Sequence, residues 1–195
     1  MATIGLSKPF YAKYAATGTS VTYTGCKQLA KAVEFGMELD GGEDNILYAD
    51  NGAAESDKQF SGGTMNITTD DIMPEEAADI LGLTLQTVTN ESITTSEPKE
   101  LIFGESQVMP YLGFGVIIKK QKNNIVKYMG LVLPKIQFSN PGITAVTQGE
   151  TIDWQTPELS ATIMRDDTSA HNWCRYALLD TEADAEAYIK GLLGE

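Results

Sequence analysis

His171 is the only histidine in the 195-residue chain, and it stands in SAHNWCRY. Together with Asp167 and Ser169 it supplies the residue types of a nucleophilic triad. All three fall within five positions, however, whereas triad members converge from separate elements. A histidine beside Trp173 and Cys174 more often packs or hydrogen-bonds than catalyses. Two carboxylate pairs, Asp70-Asp71 and Asp166-Asp167, have the residue types of glycoside hydrolysis. The first stands just before a helical pattern, where acids cap and complement the dipole. The second follows a strand pattern and fits a turn. DGGEDN, at 40–45, has calcium-type oxygen donors, but Gly42 occupies the third position, where an EF-hand loop needs a ligand. GFG at 113–115 is too short to cradle phosphate, and no P-loop or GxGxxG pattern occurs. Cys26 and Cys174 lie far apart, outside any CxxC spacing, and read as buried free thiols. The residues therefore predict no catalytic site, no cofactor and no metal, and the chain does not read as an enzyme.

Charge is more informative. The formal net charge is -13, which disfavours ordinary binding to nucleic acid or to an anionic membrane. The opening MATIGLSKPFYAKY lacks the basic start and apolar run of a signal peptide. No apolar run approaches the roughly 20 residues of a membrane span, so the protein is expected to be soluble and intracellular when made. The charges are unevenly spread. Seven acids and no Lys or Arg occur from Glu38 to Asp57, whereas five lysines and no acid occur from Ser106 to Gly149. An acidic face and a basic face suit copies that meet head to tail.

The elements that must carry these residues are mostly strands. Val33, Phe35, Met37 and Leu39 alternate with polar or small residues, and so do Met65 and Ile67, a period of two. In each case the apolar positions are expected to face a core. Tyr111–Ile118 and Ile125–Leu133 flank Lys122-Asn123-Asn124 and predict a hairpin, because Asn tolerates the left-handed backbone of tight turns. Pro134 predicts an edge position or a bulge, and Leu159, Ala161 and Ile163 mark a further strand. Pro74, Glu75, Glu76 and the stop at Gly82 predict a short helix. A second helix, about 181–193, carries Ala185, Tyr188, Ile189 and Leu192 as one apolar stripe. Tyr188, Ile189 and Leu192 are its docking residues, on this domain or on a neighbour. The fold class is mainly β, a sandwich or partial barrel with one internal helix and one C-terminal helix, in a single domain.

Between two of these strands lies LYADNGAAES, at 47–56, inside an acidic loop of about 40–57. In order along the chain, NILYADNGAAE, FSGGTMNITTDDI, EEAADILG, PYLGFGVIIKK, LPKIQFS and IDWQTPELSATI together resemble the phi13-type major tail proteins of phages of Gram-positive bacteria. The resemblance runs from near Lys27 to Ile163. It is most specific at Leu47, Tyr48, Ala49, Asp50, Gly52 and Glu55. Gly113 and Phe114, Lys135 and Phe138, and Thr156-Pro157 add to it.

The resemblance implies a non-enzymatic virion protein, made in the bacterial host cytoplasm. It implies a tail-tube subunit that forms rings, by analogy hexamers, which stack into a hollow tube for DNA. Other tail proteins, such as tape measure and tail terminator, are implied partners, and a defective phage or tail-like bacteriocin is an alternative source. Some relatives carry a C-terminal immunoglobulin-like domain; none is expected here. In such folds the long loop reaches a neighbouring subunit. Asp40, Asp44, Asp50, Gly52, Glu55 and Asp57 are then expected at an inter-subunit contact, opposite Lys119, Lys120, Lys122 and Lys127 of a neighbour. On the strands flanking the loop, Glu34, Glu38, Thr64, Asn66 and Thr68 share the face opposite the core. They are expected to line the lumen, where acids repel passing phosphate. Two other readings remain: a secreted or surface β-sandwich that binds sugar or calcium, and a carboxylate hydrolase.

Overall fold

The structure is a computed structural model. It describes residues 1–41, 60–89, 92–94, 96–143, 145–147 and 155–195, and the backbone path alone of 45–49 and 52–57. The chain order is β1 (Ala2–Thr17), β2 (Ser20–Gln28), β3 (Ala32–Gly41), β4 (Asn45–Ala49), β5 (Gly52–Asp57), β6 (Phe60–Thr69) and α1 (Pro74–Leu81). β7 (Thr84–Thr87), β8 (Lys99–Ile102), β9 (Leu112–Lys122), β10 (Ile125–Phe138), β11 (Glu158–Met164), β12 (Arg175–Leu179) and α2 (Glu182–Leu192) follow. The main sheet is antiparallel, in the order β2-β1-β9-β10-β11-β6-β3, with β12 also on β10. β4 pairs with β5, and β7 with β8, in separate two-stranded sheets.

The sheet folds over on itself into two layers. β2, β1, β9, the first part of β10 and β12 make a back layer. The end of β10, with β11, β6 and β3, makes a front layer. Phe35 of β3 stacks on Phe114 of β9 at 6.1 Å between centroids, so the two layers meet through their apolar faces. Met65, Ile67, Leu159, Ala161 and Ile163 of the front layer join Tyr11, Val116, Met129 and Leu131 of the back layer in one buried cluster.

Two strands reverse which residues face this core. On β10, Met129, Leu131 and Leu133 point inward, and then Ile136 and Phe138 do so. The pairing with β9 shifts between Leu133 and Ile136, and Pro134 sits in that shift. An inserted residue inverts alternation, and a residue without an N–H is tolerated there. This is the bulge that Pro134 predicts, although on a central strand. On β1, Leu6 and Tyr11 both face the core although they differ in parity. The register shifts between Ser7 and Phe10, and Lys8 takes φ 47.

The predicted turns and helix ends match their chemistry. Asn123 and Asn124 have φ 51 and 62, the left-handed pair of a tight hairpin. Pro74 opens α1 and Gly82 closes it at φ 62. Thr181 caps α2 by accepting from the Asp184 N–H at 3.1 Å. Asp70 and Asp71, by contrast, do not cap α1: the N-cap is Met73, with no side-chain cap bond. Asp70 Oδ1 instead accepts from the N–H groups of Lys31 and Asp71, tying β3's entry to β6's exit.

A second correction concerns β3. Phe35 and Met37 pack on the core, but Val33 and Leu39 stay 55% and 45% exposed. β3 is an edge strand, its pairing with β6 shifts between Ala32 and Glu34, at Val33, and again after Asp40, and among the described residues no layer covers its two ends. The acidic segment after it is also less irregular than a loop, since Asn45–Ala49 pairs antiparallel with Gly52–Asp57. β1, β2, β7, β8 and β12 are strands that the sequence patterns did not single out.

α2 docks on its own domain, against the outward side of the back layer. Ala185, Ile189 and Leu193 are buried with Phe10, Ala12, Ile117 and Val132, while Tyr188 and Leu192 are half-buried at the margin. The landing strip is made of glycine. A Cβ at Gly115 would overlap Cγ2 of Ile189, and one at Gly113 would lie 2.6 Å from both Leu193 Cδ2 and Tyr23 Cε1. At Gly130 it would come within 3.2 Å of the Ala185 carbonyl oxygen. GFG is therefore a flat seat for a helix. Ile189→Asp is expected to lower the stability of the isolated subunit by at least about 3 kcal/mol, the scale of losing a buried Ile and burying a carboxylate. Gly115→Ala should cost about 1–3 kcal/mol by overpacking. Urea unfolding of both variants checks this, and wild-type midpoints would show that α2 is not part of the folding unit.

Candidate assembly surfaces

The registers bring the predicted polar residues onto one face. Opposite residues of an antiparallel pair point to the same side of the sheet. Glu34 lies opposite Thr68, and Glu38 opposite Thr64, with Gly36 against Asn66 between them. β11 continues the rows: Thr68 faces Glu158, Asn66 faces Ser160 and Thr64 faces Thr162. The other side of these strands is the buried core, so the front layer is divided into an apolar and a polar side. No Lys or Arg occurs within β3, β6 or β11, so the face is acidic through Glu34, Glu38 and Glu158. The β11 half was missed from sequence, although its signal was present: ELSATI alternates polar and apolar just as MNIT does.

Of the predicted arm residues, Asp40 is the exposed last acid of β3. The Ser61 hydroxyl donates to its carbonyl at 2.9 Å and closes the base of the β4–β5 arm. Phe60 stacks on Trp173 at 4.4 Å, and the Arg165 guanidinium lies 5.9 Å from the Phe60 ring. Arg165 Nη2 also donates to the Phe60 carbonyl at 2.5 Å. Gly52, Glu55 and Asp57 fall on β5, of which the backbone alone is described, and Asp44 and Asp50 lie outside the described residues.

The predicted basic surface divides. Lys119 lies over the Tyr128 ring on the α2 side, 5.9 Å from its centroid. Lys120 and Lys127 are opposite each other on the core-facing side, in the row beyond Ile118 and Met129. Lys127 is paired with Asp180. Among the described residues, no ion pair holds Lys119, Lys120 or Lys122.

The other chemical candidates have structural roles. Asp166 Oδ1 accepts from the Thr168 N–H, the Thr168 hydroxyl and the Asn172 N–H, which organises a turn. His171 has φ 48, with Nδ1 3.2 Å from the Asp166 carbonyl oxygen. Asp167 Oδ2 takes bonds from Lys135 at 2.7 Å and from the Tyr14 hydroxyl at 2.6 Å. These bonds, Lys135 first, hold the Asp167 carboxyl below the usual range. Desolvation, followed by the bond to Asp167, pushes the Tyr14 phenol up to about 12. Both thiols are free and half-buried, and burial raises them. Among the described residues no cluster of three His, Cys, Asp or Glu is placed to hold a metal, and no helix is long and apolar enough to cross a membrane. A cavity of about 630 Å3 between α1 and β8 is lined chiefly by apolar groups, including Ile72, Ile80, Leu101 and Phe103.

Asp79 was not singled out from sequence, because its partners come from two other elements, at least 52 residues away along the chain. On α1, it accepts from Lys13 and Lys27 at 2.8 Å each and from the Tyr11 hydroxyl at 3.2 Å, pinning the helix to β1 and β2. Burial alone would raise its carboxyl, but the two ammonium groups outweigh that and hold it below the usual 3.8. The folded protein therefore loses this proton more readily than the unfolded chain. The resulting stability is complete above the unfolded value of about 3.9 and is lost as pH falls through the lower folded one. Asp79→Asn is expected to cost roughly 1–3 kcal/mol at pH 7 and to flatten the loss of stability below pH 4. Urea midpoints at pH 7 and pH 3 read this, and an unchanged acid limb would remove Asp79 as its source.

No family model and no curated protein matches this chain.

Proposed function

We propose that the chain is the structural subunit of a tubular assembly, a phage-type tail tube, in which copies form rings, hexamers by analogy, and the rings stack. The observation that carries this reading is the front layer, a sheet with one side in the core and the other an acidic polar face on β3, β6 and β11. A monomer gains nothing by gathering Glu34, Glu38 and Glu158 on one flat surface. A channel for a polyanion does, because a wall without cations cannot trap phosphate, and at physiological salt the repulsion acts over roughly 8–10 Å.

In this reading the Asp40–Asp57 arm reaches a neighbouring subunit, and its base is held by Phe60, Trp173 and Arg165. Lys119, Lys120 and Lys122, which no ion pair holds among the described residues, meet acids of that neighbour. Opposite charges on separate flanks favour head-to-tail contact and oppose contact between like surfaces. The subunit performs no catalysis, and DNA passes it without specific binding. Its setting is a virion tail, with other tail proteins at the tube ends and in the lumen.

Negative-stain microscopy of the purified protein tests the proposal. Rings or tubes are expected, and persistent monomers at millimolar concentration would overturn it. A second measurement concerns the wall. Thr64→Lys with Glu158→Lys places cations on the β6 and β11 part of the face, away from the β3 edge. Tubes should still form but should retain added double-stranded DNA at low salt, an interaction that vanishes as salt rises. Tubes of this variant that bind DNA no better than wild type would show that the face lies outside the lumen.

A further inference from the structure

The β4–β5 arm stands in a two-stranded sheet of its own, apart from the main sheet. A lone hairpin is at best marginally stable in water, so the direction of the arm depends on what holds its base. Phe60, the first residue of β6, follows Asp57, the last residue of β5, by three positions. The register marks the point of departure. Asp40 lies opposite Gly62 and Gly41 opposite Phe60, so Ser61 is the extra residue of a bulge. The bulge inverts the alternation and turns Phe60 to the side of Met65 and Ile67, where it packs against the core.

What Phe60 meets there comes from a distant part of the chain. After β11, residues 166–172 close on themselves: the Asp166 N–H donates to the Asn172 carbonyl at 2.8 Å, and Asp166 Oδ1 accepts from the Asn172 N–H at 2.8 Å. The two residues at the neck of this closed loop are Arg165 and Trp173, and both reach Phe60. The Trp173 ring stacks on the Phe60 ring at 4.4 Å and 6° from parallel, while Arg165 Nη2 donates to the Phe60 carbonyl at 2.5 Å. The loop is in turn tied to the back layer, because Asp167 accepts from Lys135 and from the Tyr14 hydroxyl. The root of the arm on β6 is thus gripped by a loop keyed to both layers, whereas its root on β3 lies at the edge of the sheet.

We infer that Arg165 and Trp173 are positioning residues, which with Phe60 form a clamp that sets the direction in which the β4–β5 arm leaves the subunit. The clamp holds Phe60 twice, by its ring and by its main chain, so that neither rotation of the ring nor a shift of the strand can occur without breaking a contact. Arg165 and Trp173 act on assembly through the arm: an arm already held in one direction reaches its target without the cost of ordering it at the moment of contact. This consequence rests on the role proposed above for the arm. The clamp itself does not, since it belongs to the single subunit.

Amide hydrogen exchange of β4 and β5, measured on the dissociated subunit, tests the clamp, and sedimentation velocity of the same proteins reads assembly. Phe60→Leu keeps an apolar side chain but removes the ring, Phe60→Tyr keeps the ring, and Arg165→Met removes the donor from an exposed side chain. Phe60→Leu and Arg165→Met are each expected to speed exchange of the β4 and β5 amides about tenfold, the scale of losing an aromatic pair or a hydrogen bond. Amides of β9 and β10 should keep wild-type rates, and Phe60→Tyr should match wild type throughout. Association should weaken by about the same factor, because only the correctly aimed fraction of arms can bind. Wild-type exchange in both variants would overturn the clamp, even if association were lost, since that loss would then report direct contact with a neighbour. Faster exchange with association intact would keep the clamp and overturn the arm as connector. Should wild type never associate, the tube reading falls while exchange still decides the clamp. If Phe60→Leu misfolds, Arg165→Met decides alone.

Discussion

Strand β10 belongs to both layers, and the register shift at Pro134 is what allows it to. Before the shift, odd-numbered residues face the core and β9 and β12 flank the strand. After it, even-numbered residues face the core and β11 takes over one edge. A strand of regular alternation would turn Ile136 and Phe138 away from the core at the point where the front layer begins. The bulge bends the strand and inverts its sides together, so one continuous sheet encloses one apolar interior. The position of β11, and with it that of β6 and β3, follows from this bend.

The centre of the back layer carries a further demand, since both of its sides are buried. One side of β9 and of the middle of β10 faces the front layer and the other faces α2, so LGFGVI and MGLVLP have no polar side. The glycines at 113, 115 and 130 supply the flatness that lets α2 approach, and Phe10, Ile117 and Val132 supply the apolar contact around them. The front layer has the opposite character, apolar on one side and acidic on the other. The tube wall proposed above would need that asymmetry: one side of the subunit shields a core while the other meets water and charge.

Polar contacts fix α1, the β12 turn and α2 to this frame. Asp79 joins α1 to β1 and β2, Asp167 joins the turn before β12 to Lys135 and Tyr14, and Glu186 joins α2 to Lys8 at 2.7 Å. Each links segments distant in sequence, and each depends on an ionised carboxylate. Such contacts orient elements that the apolar core alone would hold less specifically. They also make acid the condition that loosens the subunit.

What the sequence by itself determined is what local rules govern. The period of two placed β3, β6 and β11, Asn123-Asn124 placed the hairpin turn, and Pro74 and Gly82 bounded α1. The alternation that puts Glu34 and Glu38 opposite Phe35 and Met37 was legible for the same reason, because side-chain direction in a strand is set by parity. Parity does not reveal coverage. Val33 and Leu39 match the apolar pattern and are exposed, since only the fold decides where a layer ends. β1 was illegible because its bulge at Lys8 breaks the alternation that would reveal a 16-residue strand. The Asp79 hub and the glycine seat depend on residues that meet only after the sheet folds over. No window of sequence contains them, and the tertiary structure alone decided them.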